Sequence, residues 1–370
     1  MRPTEIESLD EFDRYVADGI RSLSGFHLQS VDLSGRAEAL AQLRVSGAIF
    51  LGCRFADGGP GSEADVRDRG GLIFPAVPDV PFDPYRGSLY SPAELYAHLD
   101  QGYAATLDAG AYAWSRAPRT LDKSLAMALH DHAIDDAVEE YAEGALLVGV
   151  MGGHAVRRGT PDYLDAARLG HALAAPNGGG PTVLTGGGPG AMEAANLGAR
   201  LSAHPDTTLV EAVDQLAAVP DFTPDVTAWA RAAFAVCERW PDAVESVGIP
   251  TWFYGHEPPN VFATRIAKYF RNALREDILL RLCRAGIVFL PGAAGTVQEI
   301  FQAACSNYYA PAEQVVPMVL LGRDYWSSQM PVRELLDVLG LGRAFGARLH
   351  LVDDAAEVLP LLLEERGSRR

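Results

Sequence analysis

Residues 286–299 read GIVFLPGAAGTVQE: an apolar run from Ile287 to Leu290, a turn through Pro291-Gly292-Ala293-Ala294-Gly295, and a helical start at Thr296 that carries Glu299. Continuous apolarity marks a strand covered on both faces, and a strand that enters a helix through a glycine turn is half of a βαβ unit. The same alternation repeats from Gly144 onward. Runs of strand character at Ala145 to Val150, Thr182 to Thr185, Val247 to Tyr254, Gly286 to Leu290, Val315 to Leu321 and Arg348 to Val352 are separated by helical patterns. This predicts an α/β fold, a doubly wound and mostly parallel Rossmann-like sheet, with ligands bound at the carboxyl ends of its strands.

The first part of the chain reads differently. One clear strand candidate, Ala48 to Cys53, is followed by a Pro- and Gly-rich stretch from Gly58 to Pro92, and no internal repeat is legible. Ser91-Pro92-Ala93-Glu94 and Thr120 are good helix starts. The expected division is an accessory α+β region of unknown role over 1–140 and a nucleotide-binding domain over 141–370.

Acidic residues outnumber basic ones 48 to 31 in the 370-residue chain, giving a formal charge of -17, so a long polyanion is repelled by most of the surface. Nucleic acid is excluded as the expected partner. Four dispersed cysteines (Cys53, Cys237, Cys283 and Cys305) form no CxxC pair and read as small buried side chains in a reducing compartment. The acidic, amphipathic start and the lack of a long apolar run predict a soluble cytoplasmic protein with no membrane contact.

Three glycine-bearing turns follow strands: Gly152-Gly153 with His154 beside it, Gly186-Gly187-Gly188-Pro189-Gly190 leading to Met192, and Gly292 to Thr296. Bare backbone N–H groups and a positive helix end make such turns phosphate sites, and several at one sheet edge can surround a mononucleotide. The second turn also fits GxGxxA through Gly186, Gly188 and Ala191, with Asp206 at the distance of a ribose-binding acid. Glu299 has two readings: a capping-box partner of Thr296, or a catalytic carboxylate beside the phosphate. A helix from Ala263 to Arg284 places Arg271, Arg275, Ile278 and Leu282 on one stripe, so its arginines are partly buried and need an anion. Asn260 reads as that helix's N-cap, while His256 and Glu257 before it are positioned to contact a base. His130, His132, Asp135 and Asp136 read as a solvated helix face, and no metal is expected.

LTGGGPGAMEAAN (Leu184 to Asn196), followed about a hundred residues later by PGAAGTVQE (Pro291 to Glu299), resembles the LOG (Lonely Guy) family, often labelled lysine decarboxylase, whose motif is PGGxGTxxE. The resemblance spans roughly Gly144 to Asp354. It implies a Rossmann-like homodimer or higher homo-oligomer that hydrolyses the N-glycosidic bond of nucleoside 5′-monophosphates, AMP-like or cytokinin nucleotides, without a cofactor. The family's Glu falls on Glu299 and its phosphate loop on Gly292, Ala294, Gly295 and Thr296. Gly152, Gly153, Gly186, Gly187, Gly188, Gly190, Met192 and Asn260 complete the implied nucleotide site. Its Arg falls on Arg275, with Arg271 the alternative, because Arg275 is followed by Glu276 where the family has Lys. Ala293 also stands where the family has glycine.

The expected reaction is therefore a phosphoribohydrolase reaction in which Glu299 stabilises the cationic sugar and Arg275 orients the substrate. The alternative is a non-catalytic nucleotide or molybdenum-cofactor carrier of the same fold. A nicotinamide-dependent oxidoreductase rests on the GxGxxA fit alone.

Overall fold

The computed structural model describes residues 4–174, 180–254 and 257–367. The chain forms two compact units, Met1–Ser88 with Arg116–Ala137, and Leu89–Ser115 with Val138–Arg370. The segment Leu89–Ser115 thus belongs with the C-terminal fold, whereas the sequence reading sets the boundary at 140.

In the first unit four short strands, β1 (Thr4–Ile6), β2 (Phe26–Gln29), β3 (Ile49–Leu51) and β4 (Leu72–Phe74), lie side by side in chain order, every pair parallel. Each pairing advances the chain by 22 or 23 residues: Thr4 faces Phe26, His27 faces Ile49, and Ile49 faces Leu72. Gly25, Gly47 and Gly70 recur at one place in the coil with φ of +82°, +82° and +88°. The Gly25 N–H donates to the Gly47 carbonyl and the Gly47 N–H to that of Gly70. This is a short solenoid, a repeat that the sequence reading did not find. Only one of its strands was expected, because runs of three or four residues carry too few positions to show a period. Leu28 and Phe50 point into its core with Ile6, Phe12, Leu40 and Val66.

The helix Leu121–Ala142 carries the histidines. His130 is buried with Asp131 3.4 Å away and Phe82 edge-on to its ring. Burial pushes this imidazole's pKa below its usual value. The solvated-face reading therefore fails at His130, whereas His132 is exposed and Asp135 and Asp136 are half-buried.

The second unit is a seven-stranded, wholly parallel sheet. Its strands are β5 (Leu147–Met151), β6 (Thr182–Thr185), β7 (Ser246–Gly248), β8 (Arg265–Ile266), β9 (Gly286–Phe289), β10 (Met318–Leu321) and β11 (Leu349–Val352), in the order β11-β10-β9-β5-β6-β7-β8. From β5 the chain steps outward to β8, and from β9 it steps outward in the other direction to β11. The switch point lies between β5 and β9, which positions the site. All residues of β5 and β9 are buried, as strands covered on both faces require.

Three local readings change. The run Val247 to Tyr254 is a strand only to Gly248, since Pro250 has no N–H to continue the ladder. The stretch from Ala263 holds the edge strand β8 before a shorter helix, Asn272–Arg281, with Arg271 at its N-cap. Asn260 is therefore not that helix's cap. Among the cysteines, Cys53 and Cys283 are buried as expected, whereas Cys305 is exposed.

Candidate functional site

The loops after β5 and β9 meet at the switch point. The Gly153 N–H donates to the Pro291 carbonyl at 3.0 Å, and the Ala191 N–H donates to the Gly153 carbonyl at 3.0 Å, so all three glycine turns interlock. Gly190 has φ +75°, and a Cβ there would lie 2.5 Å from the Gly153 oxygen, so only glycine lets the turns close this far.

A cavity of about 780 Å³ opens where the loops meet. Its wall includes Gly152, Gly153, Met192, Arg275, Gly292, Ala294, Gly295, Thr296 and Glu299, all expected from sequence. The helix Ala294–Tyr309 begins there. Its first backbone N–H groups, those of Ala294, Gly295 and Thr296, precede the first intrahelical bond, which the Val297 N–H makes to Ala293. Ala293 caps it without a side-chain bond and with φ −94°, so its methyl group imposes no left-handed strain. That geometry is suited to an anion. The Tyr325 hydroxyl donates to the Gly292 carbonyl at 2.9 Å, bracing the turn from the far strand loop.

Glu299 does not close a capping box. One turn into the helix it points to Arg275, whose Nη1 lies 3.2 Å from Oε1, with both side chains nearly buried. Arg275 also donates through Nε to the Ile249 carbonyl at 2.9 Å, so the loop after β7 fixes its orientation. A Cβ at Gly186 would stand 2.8 Å from an Arg275 nitrogen, which explains a glycine there. Burial raises the Glu299 pKa above the usual carboxylate value, Arg275 opposes that shift and nearby Glu276 adds to it. Arg271, the alternative arginine, is exposed at the helix N-cap and does not line the cavity.

Other expected residues support the site from behind. Gly186, Gly187 and Gly188 do not line this cavity, and Gly190 lines a neighbouring one. Asn260 is fully buried. Its Nδ2 donates to the Gly188 carbonyl at 3.2 Å and to Asn196 Oδ1 at 3.0 Å, and its Oδ1 accepts from the Phe262 and Ala263 N–H groups. It holds the glycine turn in place. Asp206 pairs with Arg168 at 3.0 Å on the exposed surface, which removes the ribose-binding acid from the dinucleotide reading. His256 lies outside the described residues, while Glu257 lines the cavity 3.6 Å from His154.

Among the wall residues not expected from sequence are Tyr254, Glu276 and Gln298. Glu276 accepts at Oε1 from Asn272 Nδ2 at 2.6 Å and at Oε2 from Gln298 Nε2 at 2.6 Å, and the Tyr254 hydroxyl approaches Oε1 at 3.5 Å. The signal available for Glu276 was its place beside Arg275, and for Gln298 its place beside Glu299. Tyr254 gave none, because aromatic residues after a strand read equally well as core.

Fold and site together define a Rossmann-like α/β protein with a cavity at its switch point, into whose wall a helix N-terminus is built. No protein-family model matches the chain, and no curated protein matches it significantly. Among solved structures it is similar to the molybdenum cofactor binding protein of Rippkaea orientalis, at 18% identity over 60% of this chain and 98% of that one, with a TM-score of 0.36. It is also similar to the molybdenum cofactor carrier protein of Chlamydomonas reinhardtii, at 18% identity over 60% of this chain and 99% of that one, with TM-scores of 0.37 and 0.35 in two structures. Likeness at this level assigns neither ligand nor activity.

Proposed function

We propose that the cavity binds a nucleoside 5′-monophosphate and hydrolyses its N-glycosidic bond to free base and ribose 5-phosphate. The observation that carries this reading is a buried, ion-paired carboxylate, Glu299, one turn beyond the anion cradle in the same cavity. The phosphate sits on the N–H groups of Ala294, Gly295 and Thr296 and supplies binding energy remote from the reacting bond. As the C1′–N bond lengthens, positive charge develops on the ribose and negative charge on the leaving base. Glu299 stabilises the first and takes a proton from the water whose oxygen bonds to C1′; the departing base takes a proton from solvent, and Glu299 returns its own to solvent, so the carboxylate is regenerated. Arg275 keeps Glu299 ionised and oriented. The wall formed by Tyr254, Glu276 and Gln298 faces the base. The homodimer that the family resemblance implies belongs to this proposal, with sedimentation velocity as its measurement.

A second reading is a carrier that binds a phosphate-bearing ligand such as the molybdenum cofactor without reacting, the function in the names of the solved proteins above. One feature favours it: Arg275 and Glu299 satisfy each other, and a passive wall needs no more. Incubating the protein with nucleoside monophosphates and separating the products by chromatography decides between the two. Free base with the wild type and none with Glu299→Gln supports hydrolysis. A phosphorylated ligand that binds tightly and is recovered unchanged supports the carrier.

A further inference from the structure

Three acids of the switch-point cavity have an evident setting: Glu299 pairs with Arg275, Glu257 lies 3.6 Å from His154, and Asp162 is exposed. Glu276 has neither cation nor open solvent. It lines the same wall at 6% exposure, and no lysine, arginine or histidine pairs with it among the described residues. Its partners are neutral: Asn272 Nδ2 donates to Oε1 and Gln298 Nε2 to Oε2, each at 2.6 Å. A buried carboxylate without a cation is costly unless hydrogen bonds hold it, and these two amides do so.

Asn272 shows what that arrangement requires. Its Nδ2 donates both to Glu276 Oε1 and to the Tyr254 hydroxyl oxygen, the latter at 2.9 Å, while its own Oδ1 is buried with no partner among the described residues. Turning the amide over would not relieve this, because Oδ1 would then face a carboxylate oxygen. Native proteins seldom leave a buried acceptor unpaired, and here it follows from holding a carboxylate and a hydroxyl side by side in the wall. The Tyr254 oxygen accepts from Asn272, so its hydrogen points elsewhere. Glu276 Oε1, which the hydroxyl approaches, lies 3.5 Å away, too far to hold that hydrogen firmly. The wall thus presents an acceptor beside a hydroxyl with a hydrogen to give.

Such a pair complements one kind of base edge, an amino group next to an unprotonated ring nitrogen. Adenine and cytosine carry that edge, whereas hypoxanthine and uracil present the reverse, a carbonyl oxygen next to an N–H. A carboxylate opposite a carbonyl oxygen sets two acceptors against each other, which rejects the oxo bases. We propose that Glu276 and Tyr254 read the base, selecting nucleotides with an amino edge, such as AMP and CMP, over their oxo counterparts IMP and UMP. The inference rests on the reading that a nucleoside monophosphate occupies this cavity with its phosphate at Ala294 to Thr296. Gln298 ties the two ends of that ligand together, since it holds Glu276 from the same helix that supplies the phosphate N–H groups.

Dissociation constants for AMP and IMP are measured by isothermal titration calorimetry on the full chain carrying Glu299→Gln, so that the ligand is not consumed, alone and combined with Glu276→Gln or Tyr254→Phe. AMP is expected to bind at least about tenfold more tightly than IMP to Glu299→Gln. Adding Glu276→Gln, whose amide can donate to a carbonyl, weakens AMP, tightens IMP and brings the ratio to about one or below. A merely structural role for Glu276 would weaken both ligands alike, and tighter IMP binding cannot come from lost folding. Tyr254→Phe, at a nearly half-exposed position, weakens AMP and leaves IMP unchanged. Equal affinities for AMP and IMP, or a ratio that Glu276→Gln leaves in place, overturn the proposal. Absence of binding by both nucleotides overturns it together with the reading it rests on. A preserved preference for AMP without base release by the wild type sinks the hydrolysis alone, and base release from AMP and IMP at equal kcat/KM sinks this inference alone.

Discussion

Lys268 Nζ lies 2.6 Å from Asp108 Oδ1 with neither side chain exposed. The same Oδ1 accepts from Trp252 Nε1 at 2.8 Å, and Oδ2 accepts from the Tyr103 hydroxyl at 2.5 Å. Trp252 stacks on Phe270 with centroids 4.5 Å apart. One carboxylate from the segment Leu89–Ser115 thus anchors the start of the Thr251–Tyr254 stretch, whose last residue forms cavity wall. This is the physical reason that segment belongs to the C-terminal unit.

Removing Asp108 leaves a buried ammonium group without its anion. Asp108→Ala is expected to destabilise the second unit by about 3–5 kcal/mol in urea unfolding followed by tryptophan fluorescence. Asp108→Leu combined with Lys268→Met recovers part of that loss, because no charge stays buried, while Trp252 and Tyr103 still lose this acceptor. Equal stability of Asp108→Ala and the wild type would show that the pair is not a structural anchor.

For the proposed hydrolysis, the acid limb of the rate is expected to report on Glu299. Burial favours the protonated form, so the carboxylate becomes ionised only at a pH above its unperturbed 4.5, and base release is expected to fall as pH drops through that raised value. Arg275 acts in the opposite sense by favouring the charged form. Arg275→Met therefore moves the limb to still higher pH and lowers the maximum, whereas Glu299→Gln removes turnover and keeps AMP binding. A limb that stays in place in Arg275→Met would separate the two residues functionally.

The turn at Gly292 leaves no space for a side chain. A Cβ there would come within 2.2 Å of Thr296 Oγ1 and 3.1 Å of the Gly153 backbone nitrogen. Gly292→Val is therefore expected to displace the anion cradle and weaken AMP binding by at least about tenfold, with little effect on the weaker binding of adenosine, which has no phosphate to lose. Equal losses for both ligands would place the phosphate elsewhere.

Most of the C-terminal sheet was legible because its central strands are buried on both faces and announce themselves as unbroken apolar runs, as at Ile287 to Leu290, whereas the two-residue edge strand β8 was read as helix. Arg275 and Glu299 were legible through motif and spacing, but their mutual pairing was not. A capping box and an ion pair share the same local sequence at Thr296 to Glu299, and only the loop after β7, which holds Arg275 through the Ile249 carbonyl, decides between them. Asn260 shows the same limit: an Asn at the end of a loop signals that backbone N–H groups need an acceptor, without saying that they are those of Phe262 and Ala263 in a turn. In the N-terminal unit the strands are too short to carry a period, and the repeat survives in the sequence chiefly as glycines at 25, 47 and 70.

Those glycines supply the last test. At Gly47 the backbone has φ +82°, and an added Cβ would come within 2.8 Å of Ser24 Oγ in the preceding coil. Left-handed backbone costs an L-residue about 1–2 kcal/mol, and the steric conflict adds to this because neighbouring coils are held in register by the Gly25 to Gly47 and Gly47 to Gly70 hydrogen bonds. Gly47→Ala is therefore expected to destabilise the solenoid by about 1–2 kcal/mol or more, while Gly19→Ala, also at φ +82° but with open space around its Cβ position, shows the backbone cost alone. Hydrogen exchange reads both, since faster exchange should spread along β2, β3 and β4 in Gly47→Ala and stay near the substitution in Gly19→Ala. Because coils in such a stack are stabilised by their neighbours, exchange confined to residue 47 would mean that these turns do not fold as a coupled array.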